Sequence, residues 1–417
     1  RRFHSTMTLG NDLQSSQKFE IGLFLVFGIP LSILGIACIA IIILGSYIIG
    51  GATLLYCKLF VPKLQLPPPG KGKTRKRRIL LVTDTSQTQI CGVLRKFNEM
   101  QPLLRAKGHV VETIQTDMFV SFALPKWDDV RIAVPTPWMI YKCARVFAAF
   151  EPDLVNLMTE GNCGLVTRIL CQLSGIPFTT MWCSRYDLYA GASLGETFAS
   201  LVLYFLKWFH GAAALVITPS PSIGRELVSS GCVAADKCCP IMNGCNTSAF
   251  TPDGPHLDEM ASLKRPIWLY VGRVSHEKNV LSFLELKGRL PGSFAIVGKG
   301  TYYQEAFEKF GGDDVSFLGW RQGDELAAAY RSADVFVFPS TTDTFGQVQV
   351  EAMASGLPVA AFPVTGPIDV VVEGTGAVDD DLYTACKKAL AEKNTEKVLA
   401  HARSFSWISM TERFLEV

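Results

Sequence analysis

Ser340-Thr341-Thr342-Asp343-Thr344-Phe345-Gly346-Gln347-Val348-Gln349-Val350-Glu351-Ala352-Met353-Ala354-Ser355-Gly356-Leu357-Pro358 is the stretch on which the fold turns. It follows the short apolar run Val335 to Phe338, whose β-branched and aromatic residues and closing Pro-Ser read as a buried parallel strand. Val348, Ala352 and Met353 then recur at helical spacing, and Gly356 with Pro358 stops the helix. A second apolar run, Pro358 to Phe362, begins at once, so the unit is strand, loop, helix, strand. In such a unit the loop at the carboxyl end of the first strand faces the ligand crevice. The following helix points free N–H groups and its positive dipole end into that crevice, which suits a phosphate. Asp343 in the loop and Glu351 on the helix flank this end. Two carboxylates repel a phosphate, so they suit the hydroxyl groups of a sugar or a ribose; the alternative is a capping Asp343 and a solvated Glu351.

Asp343-x-Phe345-Gly346-x4-Glu351-Ala352 resembles the donor-site motif of the retaining glycosyltransferases of family four, in which glutamate is usual and aspartate a variant at the first position. The resemblance implies the α/β GT-B fold, two Rossmann-like domains facing a cleft. It implies that Asp343 contacts the donor sugar and Glu351 the ribose. Gly272-Arg273-x4-Lys278 matches the family's diphosphate-binding segment, and two cations in one strand-helix loop would neutralise a diphosphate leaving group. Gly298-Lys299-Gly300 stands where the family lines the nucleotide site, and Gly92 opens the first strand-helix loop, where it permits close backbone approach. The expected catalytic residues are therefore Arg273, Lys278 and Asp343, with Gly92, Gly272, Gly298, Gly300, Phe345, Gly346 and Glu351 on the donor.

The chain of 417 residues is long enough for two domains and a tail, and its formal charge of +2 gives no case for a nucleic-acid partner. Twelve scattered cysteines without paired C-x-x-C sets read as thiols in a reducing compartment. The positive mean hydropathy of +0.24 has one source. From Ile21 to Tyr56 no charged residue occurs, more than the roughly 20 residues one membrane span needs, so an N-terminal transmembrane segment, one span or a hairpin, is expected. The proline-rich and basic stretch that follows, with Lys71, Lys73, Arg75, Lys76, Arg77 and Arg78, marks the cytosolic side or its equivalent and is a candidate contact to anionic lipid. The chain opens Arg1-Arg2-Phe3, which leaves room for an upstream or targeting piece.

The expected organisation is a tail over 1–20, the membrane segment over 21–57, a stalk over 58–78, an acceptor domain over 79–245, a linker over 246–266, a donor-nucleotide domain over 267–400 and a crossover helix over 401–417. Strand runs at Ile79 to Asp84, Val110 to Ile114, Leu154 to Met158, Phe178 to Met181 and Leu215 to Thr218 alternate with helical patterns in the acceptor domain. Phe198 to Phe209 reads as a core helix, the alternative being a face dipping into the bilayer interface. Glu160, after the Leu154 strand, and Cys183 and Arg185, after the Phe178 strand, are the acceptor-side candidates. Bacterial relatives that the latter stretch resembles carry histidine where Cys183 stands. Asp379-Asp380-Asp381 matches a metal-binding D-x-D but reads as a helix start, and the GT-B fold calls for no metal or other cofactor.

The resulting expectation is a membrane-anchored retaining glycosyltransferase. It would move a hexose from a nucleotide-diphosphate sugar to an acceptor hydroxyl, of a membrane lipid given the tether. The competing expectation is a catalytically degenerate GT-B protein that binds nucleotide sugar as a membrane-anchored sensor or scaffold, for which Cys183 and the aspartate at 343 speak. Retained Arg273, Lys278 and Glu351 speak for the enzyme.

Overall fold

The computed structural model describes residues 76–417 apart from 90 and 125–126. The expected membrane segment over 21–57 lies outside the described residues, as does nearly all of the stalk. Among the described residues no helix is long and apolar enough to cross a membrane.

The first domain runs β1 (Arg78–Thr83), α1 (Gly92–Ala106), β2 (Val110–Gln115), β3 (Ser121–Leu124), β4 (Trp127–Ala133), α2 (Pro137–Phe150), β5 (Leu154–Leu157), α3 (Asn162–Ser174), β6 (Phe178–Met181), α4 (Tyr186–Leu194), α5 (Glu196–Gly211), β7 (Leu215–Thr218), α6 (Pro221–Ser229) and β8 (Cys238–Pro240). Six of these strands form one parallel sheet in the order β2-β1-β5-β6-β7-β8, and β3 and β4 form a separate antiparallel hairpin. The second domain runs β9 (Ile267–Val271), α7 (Val280–Leu284), β10 (Ser293–Val297), α8 (Tyr303–Phe310), β11 (Val315–Gly319), α9 (Gly323–Ser332), β12 (Val335–Phe338), α10 (Gln347–Ala354), β13 (Val359–Ala361), α11 (Pro367–Val370), β14 (Gly376–Val378), α12 (Leu382–Ala391) and α13 (Thr395–Ala402). Its parallel sheet has the order β11-β10-β9-β12-β13-β14.

The central strands are short and apolar because helices cover both faces, the situation in which alternation disappears from the sequence, whereas the edge strand β2 keeps Glu112, Thr113 and Gln115. Ile79 to Val82 in β1 and Val335 to Val337 in β12 are wholly buried. Strand order reverses between β1 and β5 in one sheet and between β9 and β12 in the other. At such a switch point neighbouring loops leave the sheet in opposite directions and open a crevice at the carboxyl edge. This topology brings together the loops after β9 and β12, and those after β1 and β5.

Two segments tie the domains together. Phe250, Leu257 and Met260, from the stretch between the domains, are buried in the second domain's core with Tyr330 and Phe336. The last helix, α14 (Trp407–Glu416), returns to the first domain. Its Trp407, Met410 and Phe414 pack among Ile79, Leu81, Phe97 and Leu104, and Arg77 donates to the Leu415 carbonyl at 3.1 Å. No disulfide joins any of the described cysteines.

Candidate active site

At the second sheet's switch point the loop after β9 carries Lys278 and the loop after β12 carries Asp343, and the two side chains meet at 2.5 Å, Nζ to Oδ1. The loops are laced by two further bonds, Asn279 Nδ2 donating to the Pro339 carbonyl at 3.1 Å and Thr342 Oγ1 to the Glu277 carbonyl at 3.1 Å. Burial pushes the Asp343 carboxyl up, but the Lys278 ammonium outweighs it and the carboxyl lies below its usual value. Lys278 shows the converse: burial pulls it down, the Asp343 charge more than compensates, and its pKa is raised. Asp343 is thus an ionised, fixed acceptor, and does not cap α10, whose N-cap residue Gly346 offers no side chain. Arg273 sits in the same loop with its side chain 52 % exposed, held loosely by Glu277 at 3.5 Å.

The expected donor glycines divide by role. A Cβ on Gly298 would stand 1.8 Å from the Gly272 carbonyl oxygen, and one on Gly300 2.2 Å from that of Val274. These glycines therefore let the loops after β9 and β10 lie against each other, as the bond from Gly272 N to the Val297 carbonyl (3.0 Å) requires. Gly92 differs. A Cβ there would meet only Gln347 Oε1, at 3.7 Å, so this glycine faces the first turn of α10 across open space.

Glu351, one turn further along α10, is 1 % exposed. It accepts from the Tyr330 hydroxyl at 3.1 Å and is paired across the domain boundary with Arg95 of α1. A solvated helix residue would look different, so the carboxylate is held inside the cleft by residues of both domains. Phe345 is buried against Phe405, with ring centroids 6.0 Å apart, and its side chain is core.

The first sheet faces this from the other side. Asp84, after β1, accepts from Thr159 Oγ1 at 2.8 Å and from the Cys163 and Gly164 amides at 2.6 and 3.3 Å, so it caps α3 from outside that helix. Burial raises its pKa despite these bonds. Glu160, after β5, is 7 % exposed and accepts from His210 of α5 at 3.1 Å. Cys183 gives its carbonyl to Thr344 Oγ1 across the cleft at 2.9 Å. Burial pushes its thiol up, against thiolate chemistry. Arg185 is engaged elsewhere: its guanidinium is forked onto Asp187 at 2.8 Å and paired with Glu226.

Helix α4 joins the two sides. Tyr186 lies in the field of Glu160 and Cys183, and Tyr189 in that of Lys278, Asp343 and Arg273, with the two rings edge to face at 6.4 Å. The structure thus brings Lys278, Asp343, Glu351, Gly92, Glu160 and Cys183 to one cleft. It adds Arg95, Tyr189, His210 and Tyr330, which the sequence reading passed over. The spacing of Tyr186 and Tyr189, three apart on one helix face, was the available signal for that helix. His210, a lone histidine closing an apolar helix, gave none.

A family model described as glycosyl transferases group 1 matches residues 265–400, and one described as Glycosyltransferase Family 4 matches residues 106–249. The chain is similar to the sulfoquinovosyl transferase SQD2 of Arabidopsis thaliana, 26% identical over 375 residues that span 82% of this chain and 73% of that protein. It is similar to the alpha-monoglucosyldiacylglycerol synthase of Streptococcus pneumoniae, 26% identical over 314 residues, 68% of this chain and 70% of that one. Among solved structures, sucrose-phosphate synthase from Thermosynechococcus elongatus superposes with a TM-score of 0.65 at 21% identity, covering 81% of this chain and 96% of the other. Anabaena HepE in complex with UDP-glucose gives a TM-score of 0.61 at 16% identity, covering 82% and 98%. These likenesses establish the GT-B architecture.

Proposed function

Because the chain belongs to the group 1 glycosyltransferases of family four, we propose that it moves a hexose from a nucleotide-diphosphate sugar to a hydroxyl of a membrane lipid, with retention at the anomeric carbon. The observation that carries this reading is the Lys278–Asp343 contact at the head of α10, with Glu351 buried behind it. The diphosphate lies against the N-terminus of α10, where free N–H groups and the helix dipole meet its charge. Lys278 and Arg273 take up the negative charge that grows on the departing diphosphate, the electrostatic contribution that dominates such steps. Asp343 accepts from hydroxyls of the transferred sugar and Glu351 from those of the ribose. With the Cys183 thiol held neutral, the departing phosphate takes the acceptor's proton on the same face of the sugar. The scheme calls for no metal.

The lipid acceptor is supported by the names of two relatives, which act in sulfoquinovosyl transfer and diacylglycerol glycosylation. The uncharged run over 21–57 and the basic residues after it support a tether that holds the cleft at the cytosolic face of a membrane. The test uses the full chain reconstituted in vesicles. Its melting temperature is followed with UDP, GDP and ADP, and sugar transfer from UDP-glucose, UDP-galactose and GDP-mannose is followed into vesicle lipid and into water-soluble acceptors. One nucleotide at about 100 times its dissociation constant adds roughly 2.7 kcal/mol, and Glu351→Ala removes that gain. Transfer to soluble acceptors alone refutes the lipid reading.

A further inference from the structure

The structure singles out a buried group that the scheme above leaves unused. His210 is completely buried, and its two ring nitrogens are both engaged: Nε2 with Glu160 Oε1 at 3.1 Å and Nδ1 with Thr180 Oγ1 at 2.8 Å. The ring stacks on Trp182 with centroids 4.5 Å apart and planes 23° apart, and meets Phe209 edge-on at 5.3 Å. Elements β5, β6 and α5 therefore converge on one imidazole. An ionised carboxylate can only accept, so Nε2 carries the proton and donates it, and Nδ1 accepts from the Thr180 hydroxyl. The result is a directed chain, Thr180 to His210 to Glu160.

This chain satisfies only one of the two Glu160 oxygens. No described residue donates to Oε2, although the Glu160 side chain is just 5 % exposed. A carboxylate kept at that depth for packing alone would cost free energy that a glutamine or an apolar residue would avoid. Glu160 stands at the carboxyl edge of the first sheet, beside the switch point between β1 and β5 where ligands of open α/β sheets bind. Cys183 and Tyr186 lie in its field, and the second ring of α4, Tyr189, lies in that of the Lys278–Asp343 pair. Glu160 accordingly lies on the side of the cleft that an acceptor must enter to meet the donor sugar.

We propose that Glu160 Oε2 accepts a hydrogen bond from a hydroxyl of the acceptor, and that His210 is the positioning residue that holds the carboxylate aimed. The inference rests on the glycosyl-transfer reading, and identifies the acceptor as a polyol or alcohol able to donate to a fixed carboxylate. His210 touches neither substrate. It acts through the carboxylate, with Trp182 fixing the plane of its ring.

The test compares wild type with Glu160→Gln, His210→Phe, His210→Gln and the double variant Glu160→Gln/His210→Phe, each as the full chain in vesicles. Donors are UDP-glucose, UDP-galactose and GDP-mannose in turn, and the acceptor probes are dioleoylglycerol and phosphatidylinositol in phosphatidylcholine. Phenylalanine keeps the stack on Trp182 and deletes both hydrogen bonds. A hydrogen bond to a charged group is strong enough that its loss raises the acceptor KM about tenfold or more. The donor KM stays within about twofold in every variant, since the donor pair is untouched. The double variant is no worse than the worse single one, and His210→Gln, whose amide can still donate to Glu160, recovers most of the loss. A folded His210→Phe with an unchanged acceptor KM, or with donor and acceptor KM rising together, overturns the proposal. If that variant fails to fold, folded Glu160→Gln with an unchanged acceptor KM overturns it equally. A wild type that transfers from none of these donors refutes the underlying reading, whereas a wild type that transfers with variants that do not discriminate refutes this one alone.

Discussion

The Lys278–Asp343 contact invites a double-mutant cycle with Lys278→Met, Asp343→Asn and the pair. The side chains are 18% and 20% exposed, so the pair sits between solvent and interior. At the observed 2.5 Å separation two unit charges attract by roughly 1.7 kcal/mol in water and by roughly 6.6 kcal/mol at an effective dielectric of about 20. Desolvation takes back part of the larger figure, which sets the expected coupling at about 2–4 kcal/mol. Each single variant should therefore lose more stability than the double variant does relative to it, because one partner alone leaves a charge stranded. Urea unfolding of the full chain at pH 7 measures the cycle. The pH dependence follows from the two shifts. Asp343 is lowered, so its contribution is present above the ordinary carboxylate value and is lost as pH falls through its folded value. Lys278 is raised, so its contribution is complete below the ordinary lysine value and is lost as pH rises through its folded value. The coupling should be flat from about pH 5 to 9 and collapse on the acid side. Additivity within about 0.5 kcal/mol at pH 7 would refute the pair as an electrostatic unit.

Three other outcomes are expected. Tyr330→Phe deletes the hydroxyl that bonds Glu351 at 3.1 Å, and titration calorimetry should show nucleotide affinity weakened about five- to tenfold, with a fall in melting temperature because the buried carboxylate loses a donor. Gly298→Ala would put a Cβ 1.8 Å from the Gly272 carbonyl, and should cost about 3 kcal/mol or more in urea unfolding and enlarge the donor KM. Phe414→Ala, at a fully buried site on α14, should cost about 3–5 kcal/mol by the same measurement.

Much of the architecture was legible because it is written locally. Phe178 to Met181, Leu215 to Thr218 and Val335 to Phe338 are strands with those same limits, each a short apolar run closed by a turn or loop. Helix α5 extends the expected Phe198 to Phe209 by two residues at each end, to Glu196–Gly211. The hairpin of β3 and β4 escaped notice because its sequence lacks both a clear alternation and a short glycine turn. In the cleft, Lys278 and Asp343 were readable as members of two separate loops, but only the strand reversal between β9 and β12 makes them a pair. Glu351 could be read as a site residue, whereas its engagement by Arg95 depends on a helix 256 residues earlier. His210 and Asp84 were invisible for the same reason. A buried histidine and a carboxyl capping a distant helix get their meaning from partners 50 and 79 residues away, and no local period reports such a partner.

The return of α14 to the first domain also sets an order in time. Synthesis runs from the N-terminus, so β1 to β8 are complete while the helix that covers Ile79, Leu81 and Phe97 has yet to be made. At about 5–20 residues per second the intervening second domain takes on the order of ten seconds to emerge. Through that interval the apolar residues of the first domain that α14 buries lack that cover, which arrives only with Trp407, Met410 and Phe414. Expression of the first domain alone would hold the chain at that stage, with the same residues turned toward chaperones or toward other copies of itself.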